Sequence, residues 1–540
     1  MRCFLLLLTL LATGIPLALP AAAVPAKPAE ESLYTNATRL LIKGRRFDQA
    51  SQLLEIARKR DPADPRIPLA LGCAYASRAA SFSYAAGFRR NLVEMRSEYP
   101  AAFEKWKTAQ DDPKSKGYGE PAPRPPPLGP IWTKDDNRPL KMADQEVNER
   151  VRQLARNAGS AWDVAEKMAR TDVERAEVRL TRAWGLWTLA VYNRSLGLDA
   201  WGEKADPAVD RFALRGLNPA LPYGKTILAA FTEATKLAPN NADHWRSLGD
   251  ARKAAEDHDG AEAALLRSLE VLPRQPALWY RLYEQAAERM REHRENPGTP
   301  DRLRDSEGKA FEYLENAARY DPSNAFPRYL LAGLTLKRAK LDSSPFLPLT
   351  RTTAPTQAQQ DIAVAASKRG AARQAVQEAV ALIEQGNSLP TCTLRVYRHA
   401  PPPLLVAAWN LNRENPLGQG DYSASLREMT RTVGGFAVVQ AGEGDTIEGE
   451  RSARALQDMG QRIAGGPVSA ASESTENPLM FTGEALIGMG YQMLSGVRRA
   501  AGDAEGAAAL RETYEAYNEA FLRRLQAILD APPPSLLDSY

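Results

Sequence analysis

The feature that most constrains the fold is a spacing of 34 residues between like residues in the middle of the chain. Trp245 and Trp279 stand 34 residues apart, and Pro239 and Pro273 repeat at the same interval. Apolar residues between these markers recur every three to four positions, as in amphipathic helices, and alternating strand patterns are nearly absent. Because a helix pair of this length cannot bury its apolar face alone, copies must stack. The spacing therefore predicts an all-α repeat protein.

One copy shows the pattern most fully. From Ala242 the chain reads A-D-H-W-R-S-L-G-D-A-R, and Ala261 and Pro273 follow. This pattern resembles the tetratricopeptide repeat (TPR), with W-x-x-L-G in a first helix, a small residue early in a second helix and a final proline. The resemblance implies an α-solenoid of helix hairpins. Gly249 then allows close approach of the second helix, Ala261 lies where the two helices cross, and Pro273 ends the hairpin.

Other copies are less complete. The resemblance is strongest over 32–77 and 223–338, where Pro62, Pro239 and Pro322 are each expected to follow a second helix. In the C-terminal part, Gly444-Asp445 and Gly502-Asp503 are each expected to open a second helix. The expected helices are about 12 to 25 residues long.

Proline-rich stretches and the N-terminal composition divide the chain into seven segments. These are a signal peptide at 1–23, N-terminal TPR-like helices at 24–118, a Pro-rich linker at 119–141, a central TPR-like array at 142–342, a Pro-containing linker at 343–357, an irregular C-terminal block of helical hairpins at 358–530 and a tail at 531–540.

The N-terminus has the pattern of a secretory signal. Arg2 precedes an apolar run over 4–11, and three alanines at 21–23 suit cleavage by signal peptidase. We expect an exported protein that is periplasmic or extracellular, either free or associated with the envelope. After cleavage of the signal we expect no stable membrane span. The mature chain then keeps only Cys73 and Cys392. Two cysteines are too few for disulfides to stabilise a chain of this length. A bridge between them stays open, and buried free thiols are the favoured interpretation.

The balance of charges and the scarcity of reactive side chains limit the possible chemistry. Lys and Arg total 70 against 66 Asp and Glu, so the net charge of +4 gives no support for nucleic-acid binding. The chain has four histidines and three cysteines, with no H-E-x-x-H and no C-x-x-C motif. We therefore predict no catalytic residue, no bound cofactor and no metal site.

Two local patterns imitate ligand sites. Gly224-Lys225-Thr226 resembles the end of a phosphate-binding loop, but Pro219 stands where the loop needs its first glycine and no strand precedes it. A helix start is the better interpretation. His258 lies between two aspartates, yet the repeat register places it at a turn, where a packing or solvent-exposed histidine is expected.

A cluster of aromatic residues supports the main rival hypothesis. Trp184, Trp187, Tyr192 and Trp201 could line the sugar cleft of an exported all-α enzyme of the α/α-toroid type acting on a polysaccharide. Trp184 and Trp187 share one helix face, so packing in a core is the favoured alternative. A structural envelope protein that self-assembles is a third possibility.

The leading hypothesis is an exported, non-enzymatic scaffold that binds a protein or peptide in the concave groove of a TPR-like superhelix. In tetratricopeptide repeats, which this pattern resembles, the first helix of each hairpin lines that groove. The candidate partner-binding residues are polar positions between the packing residues of two such helices, where they would pair charges and donate or accept hydrogen bonds. They are Arg246, Asp250, Lys253, Arg281 and Glu284.

Overall fold

The structure is a computed structural model that describes residues 28–43, 46–110, 144–204, 217–296, 300–350, 355–394, 401–409, 422–465 and 480–530. The predicted signal peptide 1–23, the linker 119–141 and the tail 531–540 lie outside these residues. Over the described ranges the chain is helical and contains no extended strand, only isolated bridges such as the one between Asn324 and Thr391. The all-α prediction is thus confirmed.

The first of two compact units comprises 1–206 together with 402–411. Its helices are α1 (Pro28–Ile42), α2 (Phe47–Arg60), α3 (Arg66–Gln110), α4 (Asp144–Met168) and α5 (Asp172–Asn193), and a short helical turn at Pro403–Leu405 leads into Val406–Trp409. Each helix packs on the next along the chain, and α3 also packs on α5.

Helices α4 and α5 belong to this first unit, whereas the sequence pattern grouped residues 142–204 with the central array. The reason is the indole of Trp162 on α4, which is fully buried. A Cβ placed at Gly72 on α3 or at Gly185 on α5 would lie within 2.5 Å of that ring, so both glycines leave the space it fills. One bulky side chain therefore packs three helices together.

Helix α3 is longer than the sequence windows predicted. It runs for 45 residues and continues through Pro100. The expected length of 12 to 25 residues assumed a stop after each hairpin, but within 66–99 the only proline, Pro68, lies in the first turn of the helix, and the only glycines are Gly72 and Gly87. Gly87 instead sits where an added Cβ would come within 2.6 Å of the Ser195 side chain, so it allows close packing and does not break the helix.

The second unit comprises 207–401 and 412–540. Its helices are α6 (Pro222–Leu237), α7 (Ala242–Ala254), α8 (His258–Val271), α9 (Pro276–Glu295), α10 (Pro300–Tyr320), α11 (Phe326–Arg338), α12 (Gln357–Ser367), α13 (Ala372–Asn387), α14 (Tyr422–Gly442), α15 (Thr446–Gly465), α16 (Met480–Ala500) and α17 (Ala504–Asp530). From α6 to α11 each helix packs on its sequence neighbour, and α14 to α17 do the same. This stacking of helix pairs is a TPR-like α-solenoid.

The prolines that mark the repeat have the predicted role. The second helices α8 and α10 end two residues before Pro273 and Pro322, respectively. The same holds for α6 with Pro239 and for α2 with Pro62. A ring without an N–H cannot continue the helical hydrogen bonds, so the chain turns at the same point of each hairpin.

The crossing of α7 and α8 rests on a close approach at Gly249. A Cβ there would lie 2.5 Å from the Leu265 Cδ2 atom and 3.2 Å from the carbonyl oxygen of Ala261. Ala261 and Leu265 are fully buried. The hydroxyl of Ser268 on α8 also donates a hydrogen bond of 2.8 Å to the carbonyl of Ala242 on α7. The predicted register of this hairpin is confirmed.

Both C-terminal turns open second helices as predicted. Gly444 and Gly502 have φ angles of +99° and +83°, which favour glycine, and α15 and α17 begin two residues after them. At the second turn, the carboxylate of Asp503 accepts a 2.8 Å hydrogen bond from the N–H of Gly506 and caps α17.

The predicted linker 343–357 is packed in its first half. Leu347–Thr350 forms a short 3-10 helix. The Phe346 side chain is fully buried, with its ring centroid 6.2 Å from that of Phe436 on α14. Its three prolines suggested an exposed connection, but the apolar residues between them anchor the segment to the second unit.

Two glycine substitutions that are expected to change stability in opposite directions test the hairpin crossing. We expect Gly249→Ala to destabilise the second unit by about 1–3 kcal/mol, because its Cβ must displace buried Leu265 and the backbone of α8. Gly308→Ala is the matched control: it lies within α10 with nothing near its Cβ, and alanine there should stabilise by roughly 0.5–1 kcal/mol. The midpoints of urea unfolding measure both, and equal shifts of the same sign would contradict the packing.

Candidate functional site

The five predicted partner-binding residues lie on two first helices of the second unit. Arg246, Asp250 and Lys253 are on α7, and Arg281 and Glu284 are on α9. Spacings of three and four residues place each set along one helix face. We call these five residues the polar strip.

One ion pair joins the two helices of the polar strip. The Nζ atom of Lys253 lies 2.8 Å from Oε2 of Glu288 on α9. Since α7 and α9 belong to successive hairpins, this pair bridges the first helices of two neighbouring repeats. Sequence reasoning did not single out Glu288, although it lies four residues after Glu284 on the same helix face.

The polar strip divides into a buried and an accessible part. Asp250, Arg281 and Glu284 are buried, and Nη1 of Arg281 lies 3.3 Å from Oε2 of Glu284. Arg246 and Lys253 keep 22% and 16% of their side-chain surface exposed. A partner can therefore reach these two cations directly, whereas the buried three act through the shape and charge that they give the surface.

Tyr422, the first residue of α14, completes the buried part of the strip. Its hydroxyl donates a 2.6 Å hydrogen bond to Oε1 of Glu284. Its ring stacks on Tyr283 at 6.4 Å and meets Phe326 edge-on at 5.6 Å. Glu284 is thus already bound by the C-terminal helices of its own chain. No local pattern signals this contact, because it joins residues 138 positions apart.

Burial and neighbouring charges set the protonation of this region. Burial lowers the pKa of Lys253 first, the positive charge of Arg281 adds to the effect, and Glu288 and Glu284 oppose it. For Tyr422, burial and then the negative charge of Glu284 raise the pKa well above its ordinary value. An anionic group of a partner placed beside Lys253 would favour its charged form.

The aromatic cluster is a core and not an open cleft. Trp184 and Trp187 are buried and stack with ring centroids 4.9 Å apart. The ring of Trp409 meets both edge-on, and Tyr192 donates a 2.8 Å hydrogen bond to the carbonyl of Trp409. Trp201 is half-buried and lies against Gly159. The sugar cleft that the enzyme hypothesis placed here is therefore not formed by these rings.

The two sequence patterns that resemble ligand sites, at Gly224 and at His258, lie at the starts of helices. Gly224 lies in the first turn of α6, where an added Cβ would be 2.1 Å from the carbonyl oxygen of Asn218, so glycine lets the preceding turn pack directly against the helix. Beside His258, the carboxylate of Asp257 accepts a 2.9 Å hydrogen bond from the N–H of Gly260 and caps α8. Across the described ranges, no group of three His, Cys, Asp or Glu side chains could hold a metal ion.

Cys73 and Cys392 are free and buried. Burial raises the pKa of each thiol to about 12, so neither forms a reactive thiolate at neutral pH. No helix among the described residues is long and apolar enough to cross a membrane.

Comparisons with solved structures give similarities to other chains, among them one from yeast. The chain is similar to the crystal structure of yeast Tom70, with 11% sequence identity, coverage of 85% of this chain and 95% of that chain, and a TM-score of 0.17. No family model and no curated protein matches the sequence. The TPR-like fold therefore rests on the helix pairing and turn geometry described above.

The buried tyrosines predict a loss of stability in alkali. A tyrosine whose pKa is raised on folding keeps its proton above pH 10, whereas the unfolded chain loses it, so stability falls as pH rises beyond 10. The decrease is up to about 1.4 kcal/mol per pH unit for each such tyrosine. Urea unfolding between pH 9 and 11 measures it. Tyr422→Phe should reduce the decrease in unfolding free energy per pH unit by the contribution of one tyrosine. An unchanged pH dependence would contradict burial of the Tyr422 hydroxyl.

Proposed function

We propose that this chain is a non-enzymatic scaffold that binds a protein or peptide partner along the polar strip of its second unit. The observation that carries the proposal is the pairing of Lys253 with Glu288 across two first helices. It aligns successive hairpins so that Arg246 and Lys253 present fixed, partly exposed charges on one surface. Preorganised charges of this kind give a partner register and orientation at little cost in side-chain ordering.

The buried part of the strip supports the same proposal. Glu284 pairs with Arg281 on its own helix and accepts a hydrogen bond from Tyr422 of α14, so the Tyr422 contact ties α9 to α14 and helps to fix this surface. Arg246 is itself held by an ion pair of 2.9 Å to Asp243, one turn earlier on α7. An extended ligand would meet the exposed carboxylates of Asp243 and Glu288 beside the two cations, which suits a peptide with mixed charges.

The location of the protein is part of the proposal. The N-terminal 23 residues have the composition of a secretory signal, so we infer export to the periplasm or the extracellular space, with partners in the cell envelope. The polysaccharide-acting enzyme and the self-assembling envelope protein are weaker alternatives, since no observation of the described residues favours either one.

Photo-crosslinking tests the proposed surface. A photoreactive amino acid at position 246 of the exported, full-length protein should give a discrete adduct with a protein partner in native envelopes. The matched control is position 267 on α8, an exposed arginine paired only within its own helix to Glu270. Because the probe replaces Arg246, Lys253 is the accessible cation that the strip keeps, and changing Lys253 to Glu should lower the yield of the position-246 adduct at least tenfold.

Two outcomes would contradict the proposal. Adducts of equal yield from positions 246 and 267 would show that crosslinking is not specific to the strip. A position-246 adduct that persists in Lys253→Glu would show that the charges of the strip do not hold the partner.

A further inference from the structure

The first unit already holds a short peptide-like segment of its own chain. Residues Pro402–Trp409, here called the inserted segment, follow α13 by more than a dozen residues in sequence, yet they pack among helices α1, α3 and α5. These are the first helices of successive pairs in this unit. The inserted segment therefore occupies the face that TPR-like hairpins present to a ligand.

Apolar contacts hold the middle of the inserted segment. Leu405 and Ala408 are fully buried, and Ala407 is nearly so. Both alanines join a core cluster with residues of α1 and α3, among them Leu41 and Ala74. The short turn Pro403–Leu405 and the helical turn after it each contact α1 and α3. Small side chains on both partners allow the backbone of the segment to lie close to the helices.

Trp409 anchors the end of the inserted segment. Its ring centroid lies 5.0 Å from that of Trp184 and 5.1 Å from that of Trp187, in edge-to-face geometry with both. The hydroxyl of Tyr192 donates a 2.8 Å hydrogen bond to its carbonyl oxygen. A buried tryptophan with a backbone hydrogen bond beside it is the typical anchor of a peptide in a groove.

The inserted segment has the properties of a ligand more than those of a repeat helix. It forms one 3-10 turn and one α-helical turn, too short to be stable alone, and it contains no charged residue. The prolines at its start restrict the backbone before binding and so lower the entropy lost on docking. Leu405 and Trp409 stand four residues apart, which places both on one face of the turn.

We propose that the first unit is a binding site for short, uncharged peptides that present a leucine and a tryptophan four residues apart on a proline-initiated helical turn. The inserted segment is the resident ligand of this site. The proposal goes beyond the scaffold function above, because it concerns a different unit and uses none of the charges of the polar strip. Its failure would leave that function untouched.

The resident segment and a free peptide would compete for this site. A segment tethered to its own site acts at an effective concentration on the order of millimolar, so a free peptide of the same sequence competes poorly in the wild-type protein. Trp409→Ala removes the anchor of the resident segment while leaving Trp184, Trp187 and Tyr192 in place. The vacated site should then take the peptide from solution.

The experiment measures binding of a fluorescein-labelled synthetic peptide of residues 401–410 to the full-length protein by fluorescence anisotropy. We expect Trp409→Ala to bind it at least tenfold more tightly than wild type, and the peptide to raise the melting temperature of that variant. Val406→Ala is the matched control, because Val406 is only half-buried in the same turn and its loss should leave binding at the wild-type level. A peptide with alanine in place of its tryptophan should not bind.

Circular dichroism establishes that the variant is folded. If Trp409→Ala does not fold, Leu405→Ala removes a different buried contact of the resident segment and gives the same comparison. A folded variant that binds no peptide at 1 mM would overturn the proposal, as would binding that does not depend on the peptide's tryptophan. Either result would make the inserted segment a permanent part of the core.

Discussion

The structure depends on how closely the two helices of a hairpin can approach. At the crossing of α7 and α8, Gly249 brings its backbone against the Leu265 side chain and the Ala261 carbonyl. The same close packing recurs where α15 meets its neighbours, since an added Cβ would lie 2.7 Å from the Ala437 carbonyl oxygen at Gly449 and 2.7 Å from the Ile487 nitrogen at Gly460. Wider spacing at these points would shift every following hairpin, because each helix packs on its neighbour.

This packing determines which surfaces remain for binding. In the second unit it brings α7 near enough to α9 for the Lys253 side chain to reach Glu288 in the next hairpin. In the first unit it leaves a tryptophan-lined face that the inserted segment covers. Tyr422 and Trp409 play similar parts, since each is an aromatic residue from late in the chain that packs on first helices of its own unit. Both proposed binding surfaces thus lie on first helices.

The sequence predicted what depends on local chemistry. Prolines after second helices, glycines at turns and the small residue at the crossing each act within one hairpin, so the ends of α8 and α10 and the register at Gly249 were predictable. The 45-residue length of α3 was not, because the sequence windows assumed a stop after each hairpin, whereas this helix continues even through Pro100. The contacts of Tyr422 and of the inserted segment were also missed, since they join residues more than 100 positions apart and leave no periodic signal. The residues of the polar strip lie on first helices, where the repeat register placed them, but the burial of Asp250, Arg281 and Glu284 depends on long-range packing that the sequence pattern does not show.

A double-mutant cycle between Gly249 and Leu265 tests the hairpin geometry most directly. If the Gly249 backbone meets the Leu265 side chain as described, Leu265→Ala vacates the space that the Cβ of Gly249→Ala requires. The two changes should then be non-additive in urea unfolding, with Gly249→Ala costing at least about 1 kcal/mol less in the Leu265→Ala background than in the wild-type background. Additivity within about 0.3 kcal/mol would contradict the close approach on which the stacking of the hairpins depends.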